Sequence, residues 1–114
     1  MKVYIAGPIT GHPDYADYFA KAEVIIRHMG ATVLNPAILP AGFTWDEYIS
    51  MTMAMLNVCD TIVMLPGWED SRGAMREYRQ ALATGKAILE FTSLESPDSY
   101  QLISHIFTPN RNNH

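Results

Sequence analysis

Short apolar runs alternate with amphipathic helical patterns along the chain, and this alternation is the feature that most narrows the folds open to it. The apolar runs are Val3–Ala6, Thr32–Leu34, Thr61–Leu65 and Ala87–Phe91. Helical periodicity lies between them, over residues 14–29, 44–58 and 71–84. Each run has the length of a buried strand, and strands that alternate with helices favour a parallel sheet with helices on both faces. The sequence therefore predicts a small doubly wound α/β fold with four or five strands.

The expected strand order follows from the connections between the strands. Right-handed crossovers make 2-1-3-4 the simplest order, in a Rossmann-like arrangement. The order reverses between the first and third strands, and ligands of such folds bind there, outside the carboxyl ends of the strands. The two loops at this point, Gly7–Pro13 and Pro66–Ser71, are the segments of the chain richest in Gly, Pro and polar residues. We therefore expect the binding site between these loops.

Several residues of these loops and of the second helix are candidate ligand contacts. Those in the loops are Gly7, Ile9 and Trp68. Trp68, and Trp45 at the start of the second helix, each offer a π-face on which a nucleic-acid base can stack. Packing in the core or in an interface is the alternative for both tryptophans.

The end of the chain carries a weaker signal. Ser96-Pro97 is typical of a helix start and predicts a last helix that continues to about Phe107. One domain, residues 1–107, accommodates all of these elements. The polar residues 108–114 are expected to form a flexible tail.

Charge and cysteine content exclude several classes of protein. The formal net charge is −4 and no basic run occurs, so no nucleic-acid polymer is expected as a partner, since binding to a phosphate backbone needs clustered Lys and Arg. The single Cys59 cannot form an internal disulfide, which fits a reducing cytoplasm. No apolar stretch reaches the length of a membrane span, and the histidines lack metal-ligand spacing. We expect a cytoplasmic protein that binds a small molecule and needs no metal or organic cofactor.

One carboxylate lies on the inward stripe of the third helix. The residues Ala74, Tyr78 and Ala81 share this stripe with Glu77 at helical spacing. In a structural interpretation, Glu77 is semi-buried and pairs with a neighbouring Arg, or accepts a hydrogen bond from a Tyr or a backbone group. In a functional interpretation, the helix presents this carboxylate to a ligand.

The start of the third helix has the features of an anion site. Asp70 or Ser71 is a suitable N-cap, and the free backbone N–H groups with the Ser71 hydroxyl can bind an anion. Gly73 lets a ligand approach the backbone closely. Glu77 lies roughly 9 Å along the helix axis from Ser71, at the standard rise per residue. That separation suits the 5′-phosphate and the anomeric carbon of one ribose, although Ser-x-Gly is also an ordinary cap.

Three segments carry a resemblance to a known family. They are VYIAGPITG at 3–11, the helix at 44–58 and CDTIVMLPGWEDSRGAMREYRQALATGKAI at 59–88. The most specific part is the spacing Ser71-x-Gly73-x-x-x-Glu77. On these segments the chain resembles the nucleoside 2-deoxyribosyltransferase superfamily. It is most similar to the small members, which include 2′-deoxynucleoside 5′-phosphate N-hydrolases and phage and bacterial proteins of unknown function.

This resemblance implies a function and roles for individual residues. It implies that Glu77 attacks the anomeric carbon and forms a glycosyl-enzyme ester, while Ser71 and the region of Gly73 bind the 5′-phosphate. It places Tyr4 near the sugar or the nucleophile. It further implies a homodimer in which a serine of the last helix completes the partner's phosphate site, and Ser104 is the nearest equivalent. The function so implied is cleavage or transfer at the N-glycosidic bond of a (2′-deoxy)nucleoside 5′-monophosphate.

The second helix departs from the family pattern. Thr44 and Glu47 form the T-x-x-E pattern of a capping box, which starts this helix. Family enzymes carry an aspartate on it, and the corresponding position here is Thr52. A threonine can hydrogen-bond a ribose hydroxyl but cannot act as a general acid near neutral pH, and Tyr48 and Asp70 are the other candidates for that role. The sequence leaves three functions open: an enzyme, a non-catalytic nucleotide-binding protein on the same fold, and a structural or interaction protein.

Overall fold

The computed structural model describes residues 1–95 and 102–105, the side chains of Ser104 and His105 excepted. Within these ranges the chain forms a five-stranded sheet and three α-helices. The elements are β1 (Lys2–Ala6), α1 (Tyr15–His28), β2 (Thr32–Leu34), α2 (Trp45–Asn57), β3 (Thr61–Met64), α3 (Arg72–Ala83), β4 (Ala87–Phe91) and β5 (Leu102–His105). Two short 3-10 turns are present: Pro36–Ile38 follows β2, and Trp68–Asp70 lies in the predicted loop Pro66–Ser71.

The sheet has the order β2-β1-β3-β4-β5. Its first four strands are parallel, with Val3 opposite Val33 and Tyr4 opposite Ile62. The predicted small doubly wound α/β fold and the order 2-1-3-4 are therefore confirmed. The order reverses between β1 and β3, and the carboxyl ends of these two strands form the expected crevice.

Helices cover both faces of the sheet. Along β1, side chains alternate between the faces: Val3 and Ile5 pack with the buried residues of α1, whereas Tyr4 and Ala6 pack with those of α2 and α3. Burial of two apolar layers stabilises the sheet between the helices. The alternation also decides which side chain of β1 can reach α3, and that side chain is Tyr4.

The caps of α2 and α3 agree with the sequence patterns. The Glu47 amide donates to Thr44 Oγ1 at 3.2 Å, and the Thr44 amide donates to Glu47 Oε1 at 2.8 Å. The capping box of α2 is thus present. Ser71 is the N-cap of α3, since its Oγ accepts a hydrogen bond from the Ala74 amide at 3.2 Å. These caps fix where the two helices begin, and both beginnings lie near the crevice.

The predicted last helix is wrong over residues 102–105, which form β5 antiparallel to β4. Without β5, β4 would expose a row of unpaired backbone groups, and an extended segment satisfies them. This pairing overrides the local helix-start signal of Ser96-Pro97, which lies outside the described residues together with the predicted tail 108–114. Ser104 consequently lies on an edge strand opposite Leu89 and not on a helix.

None of the helices in the described ranges combines the length and the apolarity that crossing a bilayer requires.

Candidate functional site

A cavity of about 170 Å³ lies at the carboxyl end of β1. Residues from β1 and its loop, α1, the segment after β2, α2 and α3 line it. They are Tyr4, Gly7, Ile9, Thr10, Tyr15, Phe19, Pro36, Leu39, Trp45, Tyr48, Ile49, Thr52, Ser71, Gly73, Ala74 and Glu77. The structure thus brings together Tyr4, Gly7, Ile9, Thr52, Ser71, Gly73 and Glu77, the greater part of the residues that the sequence singled out.

Glu77 is the buried carboxylate of this cavity. Its side chain is 6% exposed, and Tyr4 Oη donates a hydrogen bond to Glu77 Oε2 at 2.8 Å. Burial raises the pKa of Glu77 to about 7, although hydrogen bonds from Thr52 and Tyr4 oppose the rise. Near neutral pH this group therefore exchanges a proton readily and is substantially ionised.

Tyr4 acts as a fixed donor to that carboxylate. It is fully buried on β1, and burial, reinforced by the charge of Glu77, raises the pKa of its phenol well above the ordinary value of 10.0. The phenol therefore stays protonated at neutral pH and holds one oxygen of Glu77 in place. Thr52 is a second hydrogen-bond partner of the same carboxylate.

Thr52 is the α2 side chain next to Glu77. It is 6% exposed, and its hydroxyl lies 3.3 Å from the Ile49 carbonyl oxygen. The same hydroxyl is within hydrogen-bonding reach of Glu77, where it lowers the pKa of the carboxyl group. Thr52 is within hydrogen-bonding reach of Tyr4 as well. A hydroxyl carries one proton, so Thr52 donates to only one neighbour at a time.

Glu77 is not neutralised by the arginines of its own helix. Within residues 1–95 and 102–105, no Arg or Lys nitrogen lies within 4.0 Å of its carboxylate. The Arg72 guanidinium stacks over the Trp45 ring, 3.9 Å from its centroid, and that of Arg76 lies 5.9 Å from the same centroid. Two cations therefore lie at Trp45, on the rim of the cavity, while the carboxylate lies inside it.

The first turn of α3 forms the part of the rim next to Trp45. The amide of Met75 donates to the Ser71 carbonyl at 2.9 Å and makes the first intrahelical bond. The amides of Arg72 and Gly73 precede that bond and point out of the helix end. A Cβ added at Gly73 would lie 3.6 Å from Ile49 Cδ1, so Gly73 keeps open the space between α2 and α3. This turn can bind an anion through backbone N–H groups.

Gly7 lines the cavity but is needed for packing. A Cβ added there would lie 2.9 Å from Leu65 Cβ, which is closer than non-bonded carbon atoms approach each other in proteins. The glycine therefore allows the loop after β1 to cross the end of β3. Ile9 follows it on the cavity wall with about a third of its surface exposed, at 36%.

Two predicted contacts, Trp68 and Asp70, lie outside the cavity. Trp68 Nε1 donates to Glu90 Oε2 at 2.8 Å, and its ring packs against Tyr78 with centroids 4.6 Å apart. Asp70 is exposed to solvent. The reason is the 3-10 turn at Trp68–Asp70, which starts at Gly67 with φ at 87° and directs these side chains away from the crevice. The side chain of Ser104 lies outside the described residues.

Sequence reasoning missed part of the wall. The additional lining residues come from α1 and from the segment after β2: Tyr15, Phe19, Pro36 and Leu39. Tyr15 and Phe19 belong to the apolar stripe of α1, and the sequence signal for them was a packing signal only. Tyr48, considered as a substitute acid, does line the cavity, as does Trp45.

Within residues 1–95 and 102–105, no three His, Cys, Asp or Glu side chains come together as a metal site would require.

A search of curated proteins found no match. Residues 1–90 match a family described as a domain of unknown function, DUF4406. The match includes every residue that lines the cavity, and it covers more than half of the chain. The chain therefore belongs to the DUF4406 family.

Proposed function

We propose that this protein cleaves the N-glycosidic bond of a (2′-deoxy)nucleoside 5′-monophosphate, with Glu77 as the nucleophile. The observation that carries the proposal is a buried carboxylate inside a cavity, held by a phenol and, among the described residues, by no cation. The resemblance to the nucleoside 2-deoxyribosyltransferase superfamily supports it and stays a prediction. Transfer of the sugar to a second base is the variant of the same reaction in which a base replaces water.

The dimensions support a nucleotide monophosphate. A phosphate on the Arg72 and Gly73 amides and a sugar over Glu77 would be separated by roughly 6–8 Å along α3. A cavity of about 170 Å³ is smaller than the 300–1,000 Å³ typical of sites that enclose drug-sized ligands. We infer that the sugar occupies the enclosed part, while the phosphate and the base lie towards the open mouth.

The reaction proceeds in two steps. A Glu77 oxygen forms a bond to the anomeric carbon, the bond from that carbon to the base nitrogen breaks, and its electron pair leaves with the base. Water then attacks the same carbon, the ester bond breaks, and its electron pair returns to Glu77 as carboxylate. The water proton that is released goes to solvent or to the departed base. Two inversions give overall retention at the anomeric carbon.

Tyr4 and burial adjust Glu77 for this role. The carboxylate must be ionised to attack, and a pKa of about 7 leaves roughly half of the molecules ionised at neutral pH. The hydrogen bond from Tyr4 fixes the orientation of the group, which reduces the entropy lost in reaching the reactive geometry. We therefore assign Tyr4 as a positioning residue.

A non-catalytic nucleotide-binding protein is the second candidate. The observation that favours it is Thr52 at the position where the resemblance leads us to expect an aspartate. A hydroxyl can bind a sugar hydroxyl but does not protonate a departing base at neutral pH. In this case the cavity would capture a nucleotide without turning it over.

One set of assays separates these functions. The protein is incubated with each nucleoside and deoxynucleoside 5′-monophosphate, and free base is measured by chromatography, with Glu77→Gln as the isosteric control. The enzyme releases base and Glu77→Gln does not. A binding protein releases none, yet its melting temperature rises with the nucleotide because a ligand of the native state stabilises it. If neither base release nor a thermal shift occurs, the site does not bind nucleotides and the proposal fails.

The homodimer is part of the proposal. Exposed apolar side chains such as Val58 and Phe43 lie near the two ends of α2, which is consistent with a second copy packing on this helix. Light scattering during gel filtration measures the mass, and a monomer across the micromolar range would remove the dimer from the proposal.

A further inference from the structure

Building on the proposed function, we propose that the preferred substrate carries a cationic, pyridinium-type base and not a neutral purine or pyrimidine. The inference rests on three features of the cavity: the buried carboxylate of Glu77, the aromatic rings beside it, and the hydroxyl of Thr52.

The first feature is an anion that burial leaves uncompensated. Among the described residues, Glu77 receives hydrogen bonds from Tyr4 and Thr52 but no ion pair. Burial of a carboxylate without a cation costs free energy. A ligand that brings positive charge to the anomeric carbon and the atom bonded to it would offset that cost, and a pyridinium nucleotide places its charge there.

The second feature is the aromatic wall. Tyr15, Phe19, Trp45 and Tyr48 line the same cavity as Glu77. The faces of aromatic rings attract cations, and Trp45 demonstrates this on the rim, since it carries the Arg72 guanidinium 3.9 Å from its ring centroid. A flat cationic base can stack on such a wall while the phosphate lies near Arg72 and the first turn of α3. The site therefore suits a ligand that carries a cationic base inside the cavity and an anionic phosphate at its mouth.

The third feature concerns how the base leaves. A neutral base departs with the electron pair of the broken bond and must take up a proton, for which an acid normally contributes about 10²–10⁴-fold. The titratable side chains that line the cavity within the described residues are Glu77 and three tyrosines. Glu77 must be ionised to attack, and Tyr4, whose pKa burial raises, donates its proton to Glu77. The hydroxyl of Tyr48, the other candidate acid on the wall, donates to the Pro40 carbonyl oxygen. Thr52 donates hydrogen bonds but no proton.

A pyridinium base removes this requirement. A Glu77 oxygen bonds to the anomeric carbon, the carbon–nitrogen bond breaks, and its electron pair neutralises the ring nitrogen, so the base leaves as a neutral molecule. Water then releases the sugar, the ester electron pair returns to Glu77, and one proton goes to solvent. The overall change is a pyridinium nucleotide plus water giving a ribose phosphate, a neutral pyridine and a proton.

A matched pair of substrates tests this. The full chain is given nicotinamide mononucleotide and, separately, its dihydro form, which has nearly the same shape but an uncharged ring. Deoxyadenosine and deoxycytidine 5′-monophosphates provide the neutral-base comparison, and Glu77→Gln gives the background rate. We expect base release from the oxidised compound to exceed release from the dihydro compound and from the deoxynucleotides by at least about 10²-fold, the usual contribution of an acid.

Thr52→Asp sharpens the test because it supplies an acid beside Glu77. It should raise the rate with deoxyadenosine monophosphate relative to that with nicotinamide mononucleotide by about tenfold or more. Equal rates with cationic and neutral bases in the unmodified protein would overturn this inference and leave the proposed glycosidic cleavage standing. If no base is released from any compound, the proposed function and this inference both fail.

Discussion

Two glutamates of this molecule make the same hydrogen bond in different surroundings. Glu77 accepts from Tyr4 Oη at 2.8 Å, and Glu90 accepts from Trp68 Nε1, also at 2.8 Å. Glu77 lines a cavity with the N-terminal turn of its own helix on the rim, whereas Trp68 and Glu90 lie outside that cavity with the Trp68 ring packed on Tyr78. An aromatic donor on a carboxylate therefore does not identify a site. Open space beside a deeply buried carboxylate is what distinguishes Glu77 and makes it the candidate.

The largest expected effect comes from removing the two carboxylates in turn. Glu77→Gln keeps an acceptor for Tyr4 but loses the nucleophile, so base release should fall by at least about 10³-fold. Glu90→Gln should keep the rate within about twofold. Steady-state assays of both variants measure the difference, and a similar loss in both would erase the distinction between the two glutamates.

The next effect is the dependence of stability on pH that the buried Glu77 should produce. Burial raises its pKa from 4.5 to about 7, so between these values the folded protein binds more protons than the unfolded chain. The contribution of Glu77 to the free energy of unfolding is complete below about pH 4.5 and falls as pH rises to about 7, by about 3 kcal/mol in total. Urea titrations of the unmodified protein and Glu77→Gln across this range measure it.

Glu90→Gln serves as the matched control for that titration. It should keep the loss of stability between about pH 4.5 and 7 that Glu77 causes, while Glu77→Gln should remove that loss and gain relative stability as pH increases. Parallel curves for the unmodified protein and Glu77→Gln would mean that Glu77 is hydrated in the folded state, and the buried-nucleophile account would not hold.

Removal of each aromatic donor should have a smaller effect. Tyr4→Phe takes away a hydrogen bond that lowers the pKa of Glu77, so base release at pH 7 should fall about tenfold and the rising part of its pH profile should move to higher pH. Trp68→Phe should leave the profile in place and reduce stability by about 1 kcal/mol. A profile that does not move in Tyr4→Phe would contradict the positioning role.

The smallest expected effect comes from two glycines: Gly73 in the first turn of α3, and Gly85 just after the end of this helix. Gly73→Ala places a methyl group between α2 and the cavity, 3.6 Å from Ile49 Cδ1. It should raise the KM for a monophosphate about fivefold, by blocking close approach to the helix end, without loss of stability. Gly85 has φ at 72°, and a Cβ added there would meet no atom of the described residues within 4 Å. Gly85→Ala should therefore lower the free energy of unfolding by about 1 kcal/mol through backbone strain and leave KM unchanged. Reversed results would place the anion site elsewhere.

The fold followed from the sequence where local and tertiary preferences agree. Alternating apolar runs and capped helices specify the parallel sheet, since each strand buries both of its faces and each helix buries one apolar stripe. The segment after Ser96 shows the opposite case, because a local helix signal there competed with the open edge of β4. Residues 102–105 pair with the backbone groups on the open edge of β4. The local sequence around residues 96–107 does not reveal that this edge is open.

Part of the candidate site was predictable. Helical spacing puts Glu77 on the inward stripe of α3, whereas Tyr4 was expected near it only from the family resemblance. Trp68 could not be placed, because its direction depends on the left-handed Gly67 and a 3-10 turn. The contributions of Tyr15 and Leu39 were equally hidden, since they depend on how α1 and the segment after β2 approach the crevice.

Capture of the covalent intermediate tests the central claim most directly. The protein is incubated with a nucleoside monophosphate whose 2′-fluoro substituent slows hydrolysis of the ester, and the peptide that contains Glu77 is analysed by mass spectrometry. We predict a mass increase of one fluorinated sugar phosphate on Glu77, absent in Glu77→Gln. Base release that proceeds with Glu77 unmodified, or with the sugar attached to another residue, would contradict the account.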